Sequence, residues 1–86
     1  MKLLLCKGCG DVFSIRVDEE RSCTCGKTKG EYVNKLDAIY SGDDAIPLGF
    51  RNGSFVDALR NQPDSGFGDD FTAFVISKDC PTFRKV

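Results

Sequence analysis

Apolar residues along this chain come in short runs separated by polar or glycine-containing turns. Leu3, Leu4 and Leu5 predict a first short strand. Val12-Phe13-Ser14-Ile15-Arg16-Val17 has the β-branched and aromatic content of a second. The polar stretch Asp18-Glu19-Glu20-Arg21-Ser22 reads as a turn, and Gly30-Glu31-Tyr32-Val33-Asn34 as a third strand. Residues 36–40 and 45–50 flank Ser41-Gly42-Asp43-Asp44, a tetrad with the composition of a hairpin turn. Pro47 would place the second arm at a sheet edge or a bulge.

One segment has helical spacing. Ser54-Phe55-Val56-Asp57-Ala58-Leu59-Arg60 opens on a capping residue with Asp57 three positions on, a weak capping box. Phe55 and Leu59 are four apart and share a face. Gln62-Pro63 ends the helix. Two turns are not stable alone in water, so the helix must dock on a sheet. Gly66-Phe67-Gly68-Asp69-Asp70 is a loop. Phe71-Thr72-Ala73-Phe74-Val75-Ile76 is nearly all apolar and predicts a buried central strand. Residues 81–86 predict a last, shorter strand.

Composition narrows the picture. The chain has 86 residues, 12 Lys+Arg against 13 Asp+Glu, five Cys, seven Phe and no His or Trp. That length suits one domain, 1–86, burying about 60–65% of its unfolded surface, so a covalent or metal staple is expected. Without histidine there is no imidazole base and no imidazole metal ligand. No apolar run approaches the ~18 residues that span a bilayer, so no membrane partner is expected. Three leucines near the start fall short of the ~7–15 apolar residues of a signal peptide. A cytoplasmic location is therefore expected, where thiols stay reduced and clustered cysteines point to metal rather than disulfides.

Four of the five cysteines form the pattern Cys-x2-Cys-x13-Cys-x-Cys: Cys6, Cys9, Cys23 and Cys25. A tight turn between paired thiolates places two sulfurs on one side of an ion. Gly10 and Gly26 follow the two pairs, where a positive φ folds the backbone over the sulfurs. These four residues are the expected ligands of one structural Zn2+. Four protein ligands leave no position for a substrate water, which argues against a catalytic metal. Cys80 stands apart and reads as a small buried hydrophobe. Residues 1–35 hold the cluster and are basic in balance; residues 36–86 are acidic and hold six of the seven Phe.

The segments Cys6-Lys7-Gly8-Cys9-Gly10-Asp11 and Cys23-Thr24-Cys25-Gly26-Lys27 resemble the two knuckles of a zinc ribbon joined by a β-hairpin. The whole chain is also similar to small uncharacterised bacterial and phage proteins. Those pair such knuckles with a stretch like Ala45-Ile46-Pro47-Leu48-Gly49-Phe50. The resemblance implies a metal and transfers no activity. The expected fold class is a small β-rich α+β domain, in which an N-terminal four-cysteine zinc ribbon continues into an antiparallel sheet with one short helix.

Other features have plainer roles beside their functional ones. Arg51, Asn52, Gly53 and Ser54 precede the helix and are candidates for binding an anion, against simple capping. Asp43-Asp44 and Asp69-Asp70 could share Mg2+ if their loops met, against solvated turn residues. The Phe residues are expected in the core rather than on a base-stacking platform. Phe67, between two glycines, is the exception and a candidate partner contact. These features predict a non-enzymatic, zinc-stabilised module that acts through a protein partner, with an exposed sheet edge available for homo-oligomers. One alternative is a nucleic-acid-binding zinc ribbon, disfavoured by the net charge of −1. The other is a small protein that binds or sequesters a nucleotide-type ligand.

Overall fold

A computed structural model of the chain describes residues Met1–Val86. The elements in order are β1 (Lys2–Cys6), β2 (Val12–Ser14), β3 (Arg21–Ser22), β4 (Lys29–Tyr32), β5 (Ala38–Ser41), β6 (Ala45–Phe50), α1 (Asn52–Arg60), β7 (Ala73–Val75) and β8 (Phe83–Lys85). They form two four-stranded sheets, ordered β2-β1-β6-β7 and β3-β4-β5-β8. The first is antiparallel throughout. The second is antiparallel except for the parallel pair β5–β8. No helix is long and apolar enough to cross a membrane.

The alternation of strand side chains explains how the sheets meet. On β1, Leu4 pairs with Phe13 of β2 and Pro47 of β6, all three buried. On β5, Ala38 and Tyr40 are buried, and their neighbour Phe83 on β8 is fully buried. Leu4, Phe13, Ala38, Tyr40 and Phe83 join Cys6, Ile15 and Cys23 in one apolar cluster drawn from both sheets. Tyr40 and Phe83 meet edge to face, with ring centroids 5.1 Å apart. Contact is closest at Gly30 of β4. A Cβ there would lie 2.5 Å from Leu4 Cδ1, so only glycine admits the opposing leucine.

Several sequence expectations are corrected by this topology. The tetrad 41–44 is not a hairpin turn, because β5 and β6 belong to different sheets. It is a crossing, made tight by Gly42 at φ +121°. Residues 18–22 do not close a ribbon hairpin either. β2 and β3 are edge strands of opposite sheets, and Asp18 turns the chain between them at φ 63°. β6 is an inner strand despite Pro47. The missing donor falls where β7 runs out, and the Pro47 carbonyl still accepts the Ile76 amide at 2.9 Å.

The apolar stretch 71–76 is not central. β7 is an edge strand with all three residues exposed. The phenylalanines are correspondingly not the core: only Phe13 and Phe83 are buried. Phe50, Phe55 and Phe71 form a half-exposed trio with centroids 4.9–5.1 Å apart. This trio is where α1 docks. The helix starts two residues before Ser54, at Asn52, with Arg51 as its cap residue and no side-chain cap bond. Ser54 instead fastens the helix to the approach to β7. Its hydroxyl donates to the Arg51 carbonyl at 2.9 Å and accepts the Thr72 amide at 2.9 Å. Leu59 stays 58% exposed, so the expected shared face docks only at its Phe55 end.

Candidate metal centre

Each cysteine pair sits where a strand ends and the chain turns into the next. Cys6 closes β1, and the first knuckle returns the chain to β2. Cys23 follows β3, and the second knuckle leads into β4. The first knuckle therefore belongs to one sheet and the second to the other. Gly10 and Gly26 take φ values of +77° and +80°, as their spacing predicts. Their amides close the turns onto the Cys6 and Cys23 carbonyls at 2.7 and 3.0 Å.

The four sulfurs converge, all within 4.8 Å of one another. Cys6 Sγ lies 3.8 Å from Cys25 Sγ, which lies 3.4 Å from Cys23 Sγ. A disulfide requires ~2.05 Å, and all five cysteines are free. A tetrahedral ion with ~2.3 Å metal–sulfur bonds spaces its ligands ~3.8 Å apart. The donor set and its spacing fit such an ion. Cys6 and Cys23 are buried while Cys9 and Cys25 are exposed, so the site is anchored inside and faces water outside.

Polar contacts favour thiolate at the inner positions. The Thr28 side chain holds the Cys6 thiol below its ordinary range, helped by the Cys9 amide. Burial pushes the Cys23 thiol up. The Thr28 amide, 3.3 Å from its sulfur, and the surrounding thiols outweigh burial and bring it down to about 6. The Lys27 amide pulls the Cys25 thiol down, but crowding by Cys23, Cys9 and Cys6, with burial, raises it to about 11. Four sulfurs this close share their negative charge at a cost that a cation removes.

Sequence reasoning missed the residues that hold the knuckles together. Asp11 Oδ2 accepts from both the amide and the hydroxyl of Thr24, at 3.0 and 3.1 Å, tying one knuckle to the other. The 41–44 crossing touches both. The Asp44 carbonyl accepts the Lys7 amide at 2.9 Å, and a Cβ on Gly42 would lie 2.6 Å from the Lys27 carbonyl. Thr28 is fully buried, and its hydroxyl has no partner at full hydrogen-bond geometry. It fits as an outer donor to the Cys6 thiolate. Thr28→Val keeps the shape and deletes the hydroxyl. It is expected to weaken metal retention ~10-fold in chelator competition, while far-UV circular dichroism of the metal-loaded protein stays unchanged.

The remaining candidates lie elsewhere. Cys80 is half-buried against the core, with its sulfur 3.5 Å from Thr82 Oγ1, and takes no part in the cluster. Asp43-Asp44 and Asp69-Asp70 do not come together as a metal-binding group. Asp69 instead accepts from Asn61 Nδ2 at 3.2 Å. Arg51 is the cap residue of α1, and Asn52, Gly53 and Ser54 begin its first turn. Asn52 Oδ1 there accepts from the Met1 amino group, and the Arg51 amide donates to the Thr72 carbonyl at 2.8 Å. Phe67 stands fully exposed beside a hollow of about 350 Å³ lined by Phe55, Leu59, Pro63 and Phe71. A second hollow, about 510 Å³, opens between Lys2, Tyr32, Lys35, Phe74 and Ile76. No protein-family model, curated protein or solved structure matches the chain, so the reading of this centre rests on its own residues.

Proposed function

We propose that the chain is a non-catalytic module that binds one structural zinc ion and, so shaped, contacts a protein partner. The observation that supports it is the convergence of four cysteine sulfurs at tetrahedral spacing. An all-thiolate tetrahedron suits zinc, and with four protein ligands it keeps no position open for a reacting water. The absence of histidine adds to the case. The partner surface includes Phe67, whose exposed ring flanks the hollow lined by Phe55, Leu59 and Phe71. An aromatic held clear of the fold beside an apolar recess is a suitable anchor for an interface.

Native mass spectrometry of protein purified without chelator is expected to report one zinc per chain. Cross-linking capture with the metal-loaded protein should then recover a partner that Phe67→Ser loses while keeping its metal. Capture that is indifferent to Phe67→Ser, or a chain that holds no zinc, counts against the proposal. A second reading is favoured by the larger hollow, whose charged lining residues are Lys2 and Lys35. Its size suits a small anionic ligand such as a nucleotide. Nucleotides that raise the melting temperature of the metal-loaded protein would support it; a flat screen removes it.

A further inference from the structure

Each sheet has two outer strands, and three of the four are poor templates for further pairing. β2 is three residues long, and the Arg21 guanidinium covers its Ser14 carbonyl at 3.0 Å. β3 has two residues. β8 carries Arg84 and Lys85. β7 is as short as β2, at three residues, but no side-chain hydrogen bond covers its main chain and it carries no charge. No charge lies between Asp70 and Lys78, and Ala73, Phe74 and Val75 are all exposed, Val75 at 70%. The Thr72 carbonyl accepts the Arg51 amide, and the Ile76 amide donates to Pro47. Main-chain groups of an antiparallel strand alternate sides. Thr72, Phe74 and Ile76 therefore bond toward β6, while Ala73 and Val75 turn their N–H and C=O groups to the open edge.

We propose that this edge pairs with the same edge of a second copy, β7 against β7 and antiparallel, about a two-fold axis at Phe74. The two β2-β1-β6-β7 sheets then become one continuous sheet.

The register follows from main-chain parity and charge. Residues that exchange bonds across the new seam must both present outward main chain, and Ala73 opposite Val75 of the second copy does so. The same register brings Asp70, just outside the strand, towards Lys78 of the second copy, twice by symmetry, while Asp69, which would face Asp79, is bonded to Asn61. A slip of two residues in either direction separates these charges. Packing agrees. Ala73 and Val75 share a face with Phe50 and Leu48, their partners on β6, where an apolar hollow of about 250 Å³ lies open. Val75 of the second copy stands beside the small Ala73 at that hollow. The inference does not depend on the partner or the ligand proposed above.

Sedimentation velocity of the metal-loaded chain, from micromolar to millimolar concentration, is expected to show a reversible dimer. Val75→Lys changes an exposed position, and its circular dichroism and metal content should match the parent while the dimer is lost. Asp70→Lys and Lys78→Asp should each weaken dimerisation roughly fivefold or more, and the double exchange should restore it to within about twofold. A chain that is monomeric at every concentration overturns the proposal and leaves the edge to a strand of another protein. A dimer indifferent to Val75→Lys also overturns it. Failure of the double exchange to rescue overturns the register.

Discussion

Removing the metal is expected to unfold the cysteine end of the protein and to loosen both sheets with it. Cys6 terminates β1, an inner strand of one sheet, and the Cys23–Cys25 knuckle leads directly into β4, an inner strand of the other. An ion held by all four sulfurs therefore links the two sheets at one end. Without it, closely spaced sulfurs repel as they ionise, and the knuckles are left to local turn bonds and to contacts such as Asp11–Thr24 and Asp44–Lys7. Ligand binding and folding are one equilibrium in such a site. Cys6→Ser should lower metal affinity by more than the ~10–100-fold typical of losing an outer partner. Far-UV circular dichroism that is unchanged after verified metal loss would contradict this.

The same centre sets a direction with pH. The Cys23 thiol lies low, at about 6, and the Cys25 thiol high, at about 11. Near neutrality the metal-free cluster thus shares thiolate charge among its sulfurs and still holds at least one proton. Metal uptake must expel that proton, so binding should acidify an unbuffered solution. The depressed Cys23 favours the folded chain at high pH, and that contribution fades as pH falls through about 6. Protons and metal compete for the same sulfurs, so acidification is expected to release the ion. Metal retention that rises on acidification would refute the assignment of these residues as ligands.

Phe83→Ala is the substitution expected to cost most outside the cluster. Phe83 is the largest fully buried side chain, on β8, and it joins Ala38 and Tyr40 across the parallel pair. Truncating a buried phenylalanine costs about 3–5 kcal/mol. A domain of this length has roughly 5–10 kcal/mol in total. The variant should therefore be partly unfolded at ambient temperature or show a large drop in urea midpoint. Phe67→Ala serves as the control, since that ring is fully exposed, and its unfolding free energy should stay within about 0.5 kcal/mol of the parent. Equal midpoints for the two variants would remove Phe83 from the core.

The cysteine cluster could be read from sequence because its information is local. Cysteine spacing and the following glycines set the knuckle turns without reference to the rest of the chain. Strand positions at β1, β2, β4, β5, β6 and β8 were legible for the same reason. Strand partners were not. Whether 41–44 returns the chain to its neighbour or sends it across depends on Lys27 and Lys7, distant contacts that no turn composition records. The run 71–76 has the composition of a central strand, yet no strand pairs with its far side, so it ends the sheet. Asp11 and Thr28 were overlooked because a carboxylate and a hydroxyl near cysteines are unremarkable until the fold aims them.

The interleaving of the sheets has a consequence for synthesis. On a ribosome, all four thiols have emerged once residue 25 is out, when β1 still lacks its neighbour β6 and neither β4 nor β5 has appeared. Coordination can then fold the leading segment into a loop long before either sheet can close. Phe83 arrives among the last residues. If an ion binds at that stage, assembly would run from metal to sheets to core, and a nascent chain starved of metal would wait, thiols bare, for a tail that has no scaffold to join.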